Sequence, residues 1–393
     1  MRRNVVNSLD PRDCTGCGLC SMTCPVGCLS MMRDDEGFPI PVVDDEKCTS
    51  CGLCCKRCPS LPPFDGGRPL AGGRILVARD RVRAARSSSG GVFAALAEQV
   101  LADGGVVIGA ALGEEGRVSH RLVNRADDLS PLQGSKYVQS DITGAFGWCE
   151  EALAEGRRVL FSGTPCQVAA IRSHVGEAEL LLTVELICHG VPSPEFWERT
   201  VAGLLAEGAV SDPTRLSFRL TDKSNRTAFA LSEEGRVVAP SHASLFYTLF
   251  LENKSLRESC YRCRYAGERR QGDLVIGDCA TSQNDYSFHP DVPVSSVFPL
   301  TPAGERALER LLACCDSKAL DVESEVRLNK QLNSPTVRPE ARDAVYVDLR
   351  SLSEDQLRER YLSRPGWKGR LKELVKSVVP VKERAAIRRI LDR

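Results

Sequence analysis

The chain has 393 residues, and its 52 basic and 52 acidic side chains leave a formal net charge of zero. That balance excludes a global field that would recruit nucleic acid, and 6% aromatics with no interleaved basic–aromatic stretch point the same way. The length supports one to three domains with a sizeable core, and 18 cysteines set the chain apart.

No apolar run approaches the roughly 20 residues that span a bilayer. The opening MRRNVVNSLDP has neither an apolar core nor a small-residue cleavage site, so it does not read as a secretory signal. Reduced cysteines in the cytoplasm are therefore expected.

The first sixty or so residues contain Cys14-x2-Cys17-x2-Cys20-x3-Cys24-Pro25 and then Cys48-x2-Cys51-x2-Cys54-x3-Cys58-Pro59, nearly a self-copy. Eight cysteines at these intervals are the ligand pattern of a bacterial-type ferredoxin with two 4Fe–4S clusters. The cysteine before each proline ligates the other cluster. Cys14, Cys17, Cys20 and Cys58 are expected to hold one cluster, and Cys48, Cys51, Cys54 and Cys24 the second. A zinc or disulfide knot is the rival, but a doubled CxxCxxCxxxCP is far more specific than one CxxC pair. Between the halves, a hairpin is expected around Gly37, tied off by Asp44 to Lys47.

LPPFDGGRPLAGGR marks a linker near 60–73. A strand over Arg74–Ala78 leads to Ser87, Ser88, Ser89, Gly90 and Gly91 at the start of an amphipathic helix. That position suits a phosphate on free backbone N–H groups, or plain capping by serine. VVIGAAL reads as a buried strand, RVSHRLVN as a second, and Gly134, Ser135, Lys136 and Tyr137 as a polar ligand edge. Thr143–Glu155 is helical, and Val159–Ser162, Gly163–Cys166 and Gln167–Ser173 read as strand, turn and helix. This places Cys166 at a helix N-terminus, which lowers a thiol's pKa. LLLTVELIC delivers Cys188 and His189, and Ser193 opens a further helix.

This alternation predicts an α/β core with ligands outside the strand ends. A hairpin region follows with Arg219, Lys223 and Arg226, then a helical stretch, SLFYTLFLENKSLRESC, ending in Cys260-x2-Cys263. GDLVIGDCA reads as a strand with Cys279 just after it. A helix over 301–316 makes Cys314 and Cys315 ordinary thiols. The basic amphipathic tail suits a membrane surface, a partner or its own domain. Cys166, Cys188, Cys260 and Cys263 are candidates for a third cubane, for zinc, or for the ordinary fate of small buried thiols.

From about Arg74 to Ala280 the chain resembles the coenzyme F420 hydrogenase/dehydrogenase beta-subunit family, which also includes plant-type hydroxymethyl-chlorophyll reductases. The resemblance lies in SSSGGVFAAL, QGSKYVQS, FSGTPCQVAAIR, ELICHGVPSPEFW, LRESCYRCRYA and GDLVIGD. It implies an FAD-dependent enzyme with a cubane beside the flavin, held by Cys166, Cys188, Cys260 and Cys263. Ser87 to Gly91 and Gly134 to Tyr137 would lie along the FAD, with His189 near its ring. Lys136 and Arg219 are candidates for an anionic ligand or the flavin phosphate. FRLTDKSNRTAF lacks the Gly-Trp usual in the family, which leaves the acceptor open, and Cys279 stands where many relatives have an aromatic.

The fold expected is an α+β ferredoxin-like domain over 1–62 and an α/β flavin-binding domain over 74–345, with a helical tail over 346–393. The function expected is a cytoplasmic iron–sulfur flavoprotein oxidoreductase, its donor ferredoxin or reduced deazaflavin (coenzyme F420) and its substrate small. An electron-transfer subunit serving a partner oxidoreductase, and a redox enzyme of cell-surface polysaccharide biosynthesis, are the alternatives. No nucleic-acid partner and no transmembrane segment are expected, and peripheral membrane contact would run through the tail.

Overall fold

The computed structural model describes residues 4–63, 66–221, 227–282, 288–289 and 293–362. Lys223, Arg226 and the tail beyond residue 362 lie outside them.

In the N-terminal segment β1 (Leu29–Arg33) pairs antiparallel with β2 (Pro39–Val43) around Gly37, whose φ is +78°. The Asp44 carboxylate accepts from the amides of Glu46 and Lys47 and pairs with the Lys47 ammonium at 2.8 Å, closing the expected hairpin.

The body is an eight-stranded mixed sheet. Its strands are β3 (Arg74–Ala78), β4 (Val106–Leu112), β5 (Val118–Val123), β6 (Val159–Gly163), β7 (Leu181–Leu186), β11 (Leu274–Asp278), β12 (Ser295–Pro299) and β13 (Cys315–Ala319). The numbers between belong to a small three-stranded sheet, β8 (Leu216–Thr221), β9 (Thr227–Glu233) and β10 (Arg236–Pro240), where a hairpin was expected. The order across the large sheet is β13-β3-β12-β11-β7-β6-β4-β5. The neighbouring strands β11, β7, β6 and β4 pair parallel with one another, and every other pairing in the sheet is antiparallel.

Parallel strands buried on both faces read as continuous apolar runs, which is why VVIGAAL and VLFSG were legible. Alternate residues serve opposite faces. Val107 and Leu160 pack with the helices Val92–Ala102 and Pro302–Leu312, while Val106, Ile108, Val159 and Phe161 pack with Thr143–Ala154 and Pro165–Val175. Trp197, Phe218, Phe246 and Phe250 form an aromatic core that also takes Tyr346 and Leu349 from the first part of the tail.

Two expectations are corrected. The helix placed over 301–316 stops at Leu312, and Cys315 opens β13, where it bonds to β3 at the sheet edge. The helix expected over SLFYTLFLENKSLRESC is two pieces, Leu245–Leu251 and Glu258–Tyr261. Asn253 takes a left-handed φ of +61°, and the Tyr261 hydroxyl donates to its carbonyl, holding the break. Helical periodicity spans such a break because Leu256 and Tyr261 are still buried on the core side.

Candidate functional site

The cysteine-rich turns fold around glycines that accept positive φ. Gly18 (+79°) and Gly52 (+73°) are the N-caps of the short helices Leu19–Met22 and Leu53–Arg57, which turn Cys20 and Cys54 inward. Gly16 (+64°) is more constrained: a Cβ there would come 2.5 Å from the Pro39 carbonyl oxygen and 2.8 Å from Arg257 Nη1.

Cys14, Cys17, Cys20 and Cys58 gather into one set. Burial, then the charges of Cys17, Cys14 and Cys58, drive the Cys20 thiol far up. Burial and the same two neighbours, Cys17 and Cys14, push Cys58 up to about 12. Cys24, Cys48, Cys51 and Cys54 line a second, small pocket together with Cys28. There Val5 N donates to Cys54 Sγ at 3.3 Å and Asn4 Nδ2 to Cys48 Sγ at 3.9 Å, contacts of the kind that stabilise thiolate. The fourth cysteine of each repeat thus stands near the first three of the other.

The third set is built by tertiary structure. Cys166 sits in the first turn of the helix Pro165–Val175, after a capping box of Thr164 and Gln167. Cys188 follows the C-terminal end of β7, Cys260 lies in the helix Glu258–Tyr261, and Cys263 comes just after it. Gly190 allows the approach, since a Cβ there would stand 2.7 Å from Leu256 Cδ1 and 3.3 Å from Cys260 Cβ. Burial, and then the other thiols of the set, raise Cys188 well above its ordinary value. Cys166 and Cys260 are pushed up to about 12, burial again the main cause.

The helix N-terminus therefore does not lower the Cys166 thiol as expected; burial among like groups outweighs the dipole. Burial among like groups disfavours thiolate here, and four converging thiols are a donor set that an iron–sulfur cluster would suit. Among the described residues, no three His, Cys, Asp or Glu side chains converge as they would on a single metal ion. A cubane instead carries its four thiolates on four separate irons.

The first and third sets adjoin. Cys17 and the third-set cysteines all border one cavity of about 780 Å3. Tyr265 is buried where Cys166, Cys17 and Cys58 all act on it, and its hydroxyl donates to Pro59 O at 3.0 Å.

The cavity reaches from these cysteines to the loops before the helix Val92–Ala102 and around Gly134. That helix has Gly91 as N-cap (φ +76°) and no side-chain cap. The serines are engaged elsewhere: Ser87 Oγ donates to Arg83 O, Ser88 Oγ accepts from Ser135 N, and Ser89 Oγ donates to Val294 O. Capping by serine is therefore not what this segment does, and its first-turn amides carry the positive dipole end at the cavity wall. Gly90 is needed for close packing, since a Cβ would lie 2.4 Å from Leu76 O.

Lys136 Nζ donates to Pro131 O and Gln133 O, both at 2.7 Å, and burial pushes it down to about 7. Arg219 spans the cavity wall, donating to the Tyr137 hydroxyl, to Ser88 O at 3.1 Å and to Asp278 Oδ2 at 2.6 Å. His189 accepts from Gln331 at Nδ1 (3.3 Å) and donates from Nε2 to Asn253 Oδ1 (2.6 Å), with its ring against Phe250.

Several residues here escaped the sequence reading. Buried Arg257 donates to Cys14 O (2.7 Å), Pro39 O (2.9 Å) and Gln139 Oε1 (3.1 Å), joining the N-terminal segment to the body. Arg270 and Glu185 form a fully buried ion pair at 2.6 Å behind Cys263. A lone arginine in sequence carries no signal of either role. Cys279 stands apart from the third set, against Thr281 and Glu325 in a different apolar cluster.

Residues 13–61 match the 4Fe-4S dicluster domain, and residues 156–319 match the family described as the C terminus of the coenzyme F420 hydrogenase/dehydrogenase beta subunit. No curated protein matches the chain. Among solved structures it is similar to a chain of the F420-reducing NiFe hydrogenase complex from Methanosarcina barkeri. That likeness has 17% identity over 68% of this chain and 92% of the other, with a TM-score of 0.47.

Proposed function

We propose that this chain, an iron–sulfur protein in which a 4Fe–4S dicluster domain precedes the C-terminal region of an F420 hydrogenase/dehydrogenase beta subunit, is an FAD-dependent oxidoreductase with three 4Fe–4S clusters. The observation that carries this reading is the single cavity bounded at one end by Cys166, Cys188, Cys260 and Cys263 and at the other by Ser87–Ser89 and Gly134–Tyr137, with Cys17 in its wall. Its volume of about 780 Å3 fits a large cofactor, with small-molecule sites typically some 300–1,000 Å3.

Bound flavin supplies the exchange between two-electron and one-electron chemistry. The chain's part is placement. The uncapped helix start at Gly91 and the Ser88–Ser135 bond position the phosphate-facing loops, and Arg219 fixes Tyr137 and Asp278. His189, held through both ring nitrogens, presents a fixed edge next to Cys188.

The donor in this reading is reduced deazaflavin or ferredoxin, and the compartment is the cytoplasm. No helix among the described residues is long and apolar enough to cross a membrane.

A second reading, an electron-transfer subunit docking on a partner oxidoreductase, is favoured by the second cysteine pocket. Cys51 is exposed there, beside the exposed apolar side chains of Val26 and Leu53. Anaerobic purification with flavin and iron analysis, then titration with reduced deazaflavin and separately with reduced ferredoxin, tests both. Bleaching of flavin and clusters by deazaflavin supports the first reading. Bleaching by ferredoxin alone removes deazaflavin as donor, and iron without flavin sinks the FAD assignment.

A further inference from the structure

The pocket of the second cluster set contains five thiols. Besides Cys24, Cys48, Cys51 and Cys54 it is lined by Cys28, which stands outside the doubled CxxCxxCxxxCP pattern. Cys28 is buried at the start of β1, and its sulfur lies 3.4 Å from Cys24 Sγ. Cys55, the other extra cysteine nearby, instead points to Ser8 Oγ at 3.5 Å and does not line the pocket.

A cubane binds one thiolate on each of its four irons. Two sulfurs in van der Waals contact therefore compete for one corner and do not occupy two. Cys24 is only half-buried and belongs to the segment that crosses from the other repeat, whereas Cys28 is fixed by the β1–β2 pairing, where its carbonyl accepts from Asp44 N at 2.8 Å. With a cubane bound, the crossing thiol and the fixed thiol would therefore be rivals for the same iron.

We propose that Cys28 is an exchange ligand of the second 4Fe–4S cluster, able to replace Cys24 on the same iron. The proposal rests on the two-cluster reading of the N-terminal segment. In the exchange the Fe–S bond to Cys24 breaks, the Fe–S bond to Cys28 forms, and the Cys28 proton passes to the departing Cys24 sulfur. No electron is gained or lost, and the charge of the site is unchanged.

The test is iron and acid-labile sulfide analysis of the anaerobically purified full chain, with the electron paramagnetic resonance spectrum of the reduced protein. The variants are Cys24→Ala, Cys28→Ala, the double variant and Cys51→Ala. Both single variants at positions 24 and 28 are expected to keep the full iron complement, Cys24→Ala with an altered spectrum. The double variant and Cys51→Ala are expected to lose one cluster's iron, about four atoms, and to keep the rest, which reports that they are folded. Equal iron loss in Cys24→Ala and Cys51→Ala would overturn the exchange, as would full iron in the double variant. Wild-type protein without iron overturns the exchange and the cluster reading together.

Discussion

The set of Cys14, Cys17, Cys20 and Cys58 and the set of Cys24, Cys48, Cys51 and Cys54 come from nearly identical segments but have different surroundings. The first is pressed against the body: Cys17 borders the large cavity, Tyr265 packs beside it, and Arg257 donates to the Cys14 carbonyl. The second sits in a small pocket at the surface, with Cys51 exposed and Val26 and Leu53 open beside it. A local repeat thus specifies two ligand sets, while the contacts each makes outside the repeat assign one to the interior and the other to the outside. In the proposed enzyme the inner set stands between the cavity and the outer set, so electrons exchanged between the two would pass through it.

The largest effect expected from breaking this order is in Cys17→Ala. Reduction of the outer cluster through the cavity should be abolished, while direct reduction by dithionite remains; freeze-quench electron paramagnetic resonance separates the two. Equal loss by both routes would show that the sets are not in series.

Arg257→Ala should come next. It removes three charge-assisted hydrogen bonds, one to buried Gln139 and two to half-buried carbonyls, at a cost of about 3 kcal/mol. Anaerobic denaturant unfolding measures it, and Arg257→Lys should recover only part. Arg219→Gln frees Asp278 and Tyr137 and should weaken flavin binding about tenfold, which is ~1.4 kcal/mol, read by fluorescence titration with the clusters unaffected. The smallest effect is at the surface. Leu53→Glu should slow exchange with an external one-electron carrier several-fold, without changing iron content or melting temperature, because a charge at the centre of a docking patch opposes desolvation there. No change with any carrier would remove this face from the path.

The inner and outer sets were legible because three cysteines of each lie within a few residues of one another and the doubled spacing itself points to the fourth. The buried central strands were legible from their apolar runs for the same local reason. The third set is different: Cys166, Cys188 and the Cys260–Cys263 pair come from separate elements and meet only when β6, β7 and the segment after Asn253 are in place. The interior strand β12 and the edge strand β13 went unread because Ser295, Ser296 and the polar CDSKA have no strand-like alternation. Arg257, Asp278 and the Glu185–Arg270 pair acquire their roles from partners that are distant in sequence. The serines at 87–89 show the converse case, where a local capping pattern was plain but tertiary bonds claimed the Ser88 and Ser89 hydroxyls and the Ser87 hydroxyl turned back to Arg83 O.

The exposure of Cys51 also bears on how the protein is damaged by air. Oxidation of cysteine follows access as well as thiolate character, and dioxygen reaches the outer pocket without entering the body. Damage should therefore proceed from the outside inward. In the proposed enzyme the outer cluster would be lost first, and those near the large cavity would persist behind Arg257 and Tyr265. Such an injury would cut the cavity off from any carrier that docks at the outer pocket while leaving the cavity itself intact.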